Sequence, residues 1–238
     1  MTLQIGTSGF QYPEWKGTFY PPDMPAAKML AFYATHFSTT ESNYTFRRMP
    51  KPSTLERWAE LTPDHFRFSL KAPQQITHFS KLQKCEDATR FFCDTAVVLQ
   101  RKLGTILFQL PPGFKKDIPI LEAFLIILPP GLRVAFEFRH SSWLDDDVYA
   151  ALHRANAALC IARSEDFATP VIATADHGYL RLREAQYSPE DLQGWADVIA
   201  KQTQWRDIFV YFKHEEAGTG PEFAKSLISL CGAGRVER

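Results

Sequence analysis

Two glutamates, Glu41 and Glu137, and one lysine, Lys71, stand at the polar positions of three separate strand-like runs, FSTTESN, RVAFEFR and FRFSLKA. Carboxylates on non-adjacent strands suit a general acid and base, as in glycoside hydrolysis, provided their surroundings split their pKa values. The lysine suits a different reaction: an amine made nucleophilic by desolvation among cations attacks carbonyl carbons to form a Schiff base. Arg139 and Arg181, each a strand position from the same polar sets, are the cations that would do this and would also clamp an anionic substrate. His140, directly after RVAFEFR, joins Glu41, Glu137 and Lys71 as a catalytic candidate, and His78 and His214 follow the third and eighth runs. Together with the glutamates these histidines could in principle hold a divalent metal, against which stands the surplus of arginine and lysine. No cofactor is expected.

These side chains need a frame that gathers strand ends. Strand-like runs occupy LQIGTS (3 to 8), FSTTESN (37 to 43), FRFSLKA (66 to 72), GTILFQL (104 to 110), RVAFEFR (133 to 139), ALCIARS (158 to 164), GYLRLRE (178 to 184) and DIFVYFK (207 to 213). Helical patterns lie between them: AAKMLAFYATHF, PSTLERWAEL, EDATRFFCDTAVVLQRKL, IPILEAFLIIL, DDDVYAALHRAN and SPEDLQGWADVIAKQTQ, with PEFAKSLISL last. Ser53 with Glu56, and Ser188 with Asp191, are helix start signals. Eight strands alternating with helices predict one (β/α)8 barrel over residues 1–238, a fold that typically needs ~250 residues. The helix after the sixth strand, in EDFATPVIATADH, must be short or missing. An open doubly wound sheet is the runner-up, weakened by the absence of a GxGxxG fingerprint.

In a barrel, alternate residues face the helices and the axis. Val134, Phe136 and Phe138 form one set and Glu137 and Arg139 belong to the other; Phe66, Phe68 and Leu70 alternate with Ser69 and Lys71; Leu180 and Leu182 alternate with Tyr179, Arg181 and Arg183. The polar sets read as axial. Glu41, Glu137, Lys71, Arg139, Arg181, Arg183 and Lys213 then converge on the C-terminal mouth, five cations against two carboxylates. Burying unpaired cations costs several kcal/mol each, so the surplus predicts an anionic ligand bearing phosphate, carboxylate or sulfate. The competing explanation is a Glu–Arg network that only fixes strand register. Aromatic residues of the loops after strands, Tyr12, Trp15, Phe19, Tyr44, Trp143 and Tyr187, are candidates to roof the pocket; Trp58 and Trp195 sit on helical patterns as core. GTSG lacks the second glycine of a nucleophile elbow, so Ser8 fits a tight turn with N–H groups facing an anion better than a nucleophile.

Composition narrows the partners. The 238 residues carry 27 basic and 27 acidic side chains, and a net charge of zero gives no general pull toward nucleic acid or an anionic membrane. No run approaches the ~18 apolar residues of a membrane helix, and no secretory leader is visible, which predicts a cytoplasmic protein. Cys85, Cys93, Cys160 and Cys231 lack CxxC spacing and read as reduced, mostly buried thiols.

The stretches IGTSGFQYPEW, TTESNYTF, FRFSLKAPQQITH, LFQLPPGF, AFEFRHSSW and YLRL, in this order along nearly the whole chain, resemble the domain of unknown function 72 family, also called YecE-like. The resemblance implies a TIM-type barrel. Matching motif positions are Gly6, Ser8, Gly9, Tyr12, Trp15, Glu41, Asn43, Lys71, Thr77, His78, Gln109, Glu137, Arg139, His140, Trp143 and Arg181, from which Asn43, His78, Gln109, Arg139, Arg181, Tyr12, Trp15 and Trp143, with Tyr211, are expected to bind substrate. Arg47 stands where the family usually has Tyr, Arg183-Glu184 where it has His-Gly, and Lys213-His214 where it has Asn-Asn. The expectation is a hydrolase or lyase acting on a small anionic or sugar-like substrate. The alternatives are a nucleic-acid-binding or DNA-processing barrel, by analogy with repair endonucleases, and a ligand-binding module without catalysis.

Overall fold

A computed structural model of the chain describes residues 2–164, 167–214 and 218–232. Its strands are β1 (Thr2–Ser8), β2 (Thr39–Ser42), β3 (Arg67–Lys71), β4 (Leu103–Gln109), β5 (Val134–Glu137), β6 (Ala158–Ser164), β7 (Phe167–Ala168), β8 (His177–Leu182) and β9 (Asp207–Phe212). Its helices are α1 (Ala26–Tyr33), α2 (Tyr44–Arg47), α3 (Pro52–Glu60), α4 (Glu86–Ala96), α5 (Ile118–Ile127), α6 (Asp146–Arg154), α7 (Pro189–Ala200) and α8 (Thr219–Cys231). Eight strands run parallel in the order β5-β4-β3-β2-β1-β9-β8-β6, and pairing of β5 with β6 (Ala135 opposite Ala158) closes the ring. The chain is a TIM-type barrel. The short β7 pairs antiparallel with the end of β6, and among the described residues no helix separates β6 from β8, in line with the weak EDFATPVIATADH segment. Glu165 and Asp166 of that segment lie outside the described residues.

Apolar alternation sorts the two faces of each strand. Ile106, Phe108, Phe136, Leu180, Leu182 and Val210 join the helices in the outer core, whereas Leu107, Ala135, Cys160, Tyr179, Phe209 and Tyr211 fill the barrel. The interior also carries a polar layer: Tyr211 Oη lies 2.7 Å from Thr39 Oγ1 and 2.8 Å from Ser69 Oγ, and Ser69 Oγ accepts from the Thr105 backbone N–H at 3.2 Å. All four cysteines are free, three of them buried. Among the described residues no helix is long and apolar enough to cross a membrane.

Several local expectations shift. Four polar strand runs end early: β5 stops at Glu137 and β8 at Leu182, so Arg139 and Arg183 belong to the loops above the strands rather than to the sheet, as does Lys213 after β9, and Asn43 follows β2. Ser53 does not cap α3. Pro52, whose fixed φ already suits a first helical turn, begins the helix with Lys51 before it. Ser188 and Asp191 do form the reciprocal box at the start of α7, at 3.1 and 2.9 Å. The long EDATRFFCDTAVVLQRKL pattern breaks after Ala96, where a tighter turn leads to Gln100 at φ 50°.

Gly6 marks the closest approach of β1 to its neighbours. A Cβ there would stand 2.1 Å from the Thr39 carbonyl oxygen and 2.8 Å from Tyr33 Oη. That hydroxyl accepts from Thr7 N–H at 2.8 Å and donates to Thr39 O at 3.0 Å, pinning α1 to the β1–β2 seam. Gly6→Ala is expected to cost about 3 kcal/mol, the upper end of overpacking, because backbone rather than a flexible side chain blocks the methyl. A urea melt would read this directly; an unchanged midpoint would mean that the seam opens at no cost.

Candidate active site

The axial ends of β1, β2, β5 and β8 meet beneath the C-terminal mouth. Glu41, wholly buried, accepts from Ser8 Oγ, from Tyr179 Oη at 2.6 Å, and from Arg181 Nε and Nη2 at 3.2 and 2.9 Å. Glu137, equally buried, receives Arg181 Nη1 on one oxygen and Arg139 Nε on the other. Arg181 therefore lies between both carboxylates, itself 1% exposed. Asn43 Nδ2 donates to Ser8 Oγ at 3.0 Å, which fixes the hydroxyl rotor toward Glu41. A third guanidinium, Arg183, has its Nη1 4.0 Å from Glu137.

Charge distribution decides what this cluster can do. Burial works to raise the Glu137 pKa, but the Arg181, Arg139, Arg183 and Lys71 charges outweigh it and hold the carboxyl at about 2. Such a group is ionised at neutral pH and has no proton to donate, which removes Glu137 from the role of general acid. Lys71, at the end of β3, is 8% exposed and behaves oppositely. Burial, then the Arg181 charge, drives its pKa down to about 7 in spite of Glu137 and Glu41. Among the described residues the mouth's ion pairs engage Arg139, Arg181 and Arg183 and leave Lys71 out. Its Nζ instead sits 3.7 Å from the centre of the Phe46 ring.

His78 rides on a wide helical turn, Gln75–Phe79, with its ring 5.0 Å from Phe46. Burial, then Lys71 and Arg139, lower its pKa, so the imidazole is neutral; its Nδ1 lies 2.9 Å from Thr77 Oγ1. The wall beside Lys71 opens into a cleft of about 520 Å³ bordered by Tyr12, Asn43, Phe46, Arg47, Trp58 and Lys213. Trp58 faces the cleft and also packs against the outer core, as its helical position implied, stacking on Phe68 at 5.7 Å.

Other expected residues are elsewhere. His140 Nδ1 accepts from Ser142 N–H at 3.1 Å and caps a short turn. Trp15 and Trp143 are wholly buried and do not border the cleft beside Lys71: Trp143 donates Nε1–H to Phe114 O at 2.6 Å and stacks on Phe138, and Trp15 packs among Tyr12, Phe19 and Tyr20. Phe19 and Tyr187 are likewise buried rather than roofing the mouth. Tyr211 belongs to the polar layer inside the barrel, and Gln109, 9% exposed, ends β4 opposite Glu137. His214 turns to the Glu184 carbonyl. Among the described residues no three His, Cys, Asp or Glu side chains gather as a metal-binding group.

Phe46 and Tyr179 are the site residues that sequence reasoning missed. Tyr179 was legible as a member of the axial set with Arg181. Phe46 carries no such signal, since it follows the strand on the four-residue α2.

A family model described as "Protein of unknown function DUF72" matches residues 4–237. UPF0759 protein YecE of Escherichia coli strain K12 is 30% identical over 190 residues, which is 77% of this chain but 65% of the relative, so the match spans just under two thirds of YecE. UPF0759 protein YunF of Bacillus subtilis strain 168 is 23% identical over 268 aligned residues, 96% of this chain and 94% of YunF. Among solved structures, a DUF72 family protein from Thermotoga maritima superimposes with a TM-score of 0.86 at 22% identity, covering 97% of this chain and 99% of that one. Another, from Enterococcus faecalis, gives 0.78 at 16% identity over 96% and 97%. At these identities the structures speak for the fold alone.

Proposed function

Because the chain belongs to the DUF72 family of TIM-type barrels, we propose that it is a lyase-type enzyme whose nucleophile is the Lys71 amine, acting on a small anionic carbonyl compound at the C-terminal mouth. The observation that carries this reading is a lysine desolvated beside Arg181, left outside the ion pairs and brought to about 7, at the wall of an open cleft. The carboxylates become positioning residues. Glu41 and Glu137 hold Arg181 where its charge adds to burial in lowering the Lys71 pKa, and neither needs to exchange a proton.

In the proposed step the neutral Lys71 amine forms a bond to the carbonyl carbon as the C=O pair moves to oxygen. The nitrogen gives up a proton, the oxygen is protonated and leaves as water, and a protonated imine remains. That imine draws the electron pair of the adjacent carbon–carbon bond into an enamine while a base takes the β-hydroxyl proton, releasing the second fragment as an aldehyde. Neutral His78 is the base this site offers. Protonation of the enamine and addition of water return the amine.

Incubation with small anionic aldehydes and ketones in the presence of cyanoborohydride tests the assignment. Peptide mass mapping is expected to find the reduced adduct on Lys71 and to lose it in Lys71→Arg, whose guanidinium is not nucleophilic. Adducts scattered over surface lysines, or none, would reject it. A second reading, nucleic-acid binding, draws on the rim, where the Arg48 guanidinium lies 5.3 Å over the half-exposed Tyr44 ring. It requires binding that weakens steeply with added salt. Stabilisation by a ligand without turnover would favour a non-catalytic module.

A further inference from the structure

Glu137 is one carboxylate shared by three guanidinium groups. Arg181 Nη1 takes one of its oxygens and Arg139 Nε the other, so Arg183, 4.0 Å away, is held near the carboxylate without a hydrogen bond to it. Among the described residues, Arg183 makes no other ion pair, and its Nε is buried with no hydrogen-bond partner. The arrangement is anchored, because Arg183 N–H donates to the Arg163 carbonyl at 2.8 Å and so ties the start of its loop to the end of β6. Arg139 and Arg183 each keep 23% of the side chain exposed, which puts both forks at the solvent side of the buried Arg181. Burial, followed by the Arg139 and Arg181 charges, lowers the Arg183 pKa against the pull of Glu137 and Glu41.

We infer that Arg139 and Arg183 form an oxyanion subsite above Glu137 that takes a phosphate group, so that the substrate is a phosphorylated aldehyde or ketone. The carbonyl half of this statement rests on the Lys71 reading above; the phosphate half does not. Geometry favours phosphate over carboxylate. One guanidinium fork can pair both oxygens of a carboxylate, whereas the three free oxygens of a phosphate monoester, spread over a tetrahedral face, suit two forks that arrive from the loops after β5 and β8. Charge agrees in sign: among the described residues of this cluster, three arginines against two glutamates leave a positive surplus that favours an anion.

Calorimetric titration of the intact protein with inorganic phosphate, at low salt and pH 7.5, is the test, with malonate as the dicarboxylate control. One saturable phosphate site is expected in the wild type, with affinity falling about tenfold or more in Arg183→Gln and malonate binding comparably weaker. Lys71→Met should retain the site. Circular dichroism establishes that Arg183→Gln is folded; if it is not, Arg183→Lys, which keeps the charge and loses the buried Nε, is expected to weaken phosphate about threefold or more. No saturable binding, binding unchanged in the Arg183 variants, or malonate equal to phosphate would overturn the subsite. Trapping at Lys71 without phosphate binding would reject the subsite alone, and phosphate binding without trapping would reject the lyase reading alone.

Discussion

Arg181→Met is expected to lower the stability of the barrel by about 3–5 kcal/mol at neutral pH, the cost of leaving buried charge without its partner. Two carboxylates, both fully buried, lose the guanidinium that lies between them. The pH dependence carries the signature. In the wild type the Glu137 pKa is depressed from 4.5 to about 2, so its stabilising contribution is complete above the unfolded value and disappears as pH falls toward 2. Without Arg181, burial of Glu137 is opposed by fewer charges and its pKa rises. The deficit of the variant is therefore greatest at pH 7 and narrows on acidification through the carboxylate range. Urea unfolding of both proteins between pH 4 and pH 8 measures it; parallel curves would show that the ion pairs contribute nothing to folding.

Lys71→Met is expected to abolish imine trapping and, at the same time, to stabilise the protein. The folded-state pKa of Lys71 is lowered from 10.5 to about 7, so between those values the folded chain binds fewer protons than the unfolded chain. Stability then rises with pH across this window, and below pH 7 the wild type bears the full penalty of a buried ammonium, on the order of 5 kcal/mol as an upper bound. Methionine removes the penalty while conserving most of the volume. The gain should appear at pH 6 and shrink as pH rises, vanishing only above 10.5, once the unfolded lysine has lost its proton as well. Wild-type adduct formation should run the other way, rising through about pH 7 and levelling above it. A destabilised variant at pH 6 would mean that the ammonium is accommodated after all.

Much of this architecture was readable before any coordinates. Alternation in FRFSLKA, RVAFEFR and GYLRLRE announced two differently occupied faces, and a barrel is the closed sheet that uses both. The pairing of charges was not readable. Glu41 and Glu137 looked like an acid and a base because period-2 spacing says which face a residue takes and nothing of which cation reaches it across the barrel. Arg181 pairs with residues 140 and 44 positions away. Trp15 and Trp143 failed for a related reason: an aromatic residue after a strand can turn over the mouth or back into the helical shell, and neighbours distant in the chain, such as Phe114 for Trp143, make that choice. The lowered pKa of Lys71 was legible because the alternation already placed the residue on the buried axial face in the company of Arg181.

The single guanidinium of Arg181 grips acceptors from β2 and β5 while rooted in β8, and none of these three staves adjoins another. It works as a tie-rod across the ring: widening the rim by an ångström or two would have to break two buried ionic clasps at once. Breathing of the staves is thereby opposed, which leaves the crossover segments above as the part of the mouth whose length can change without loosening the hoop.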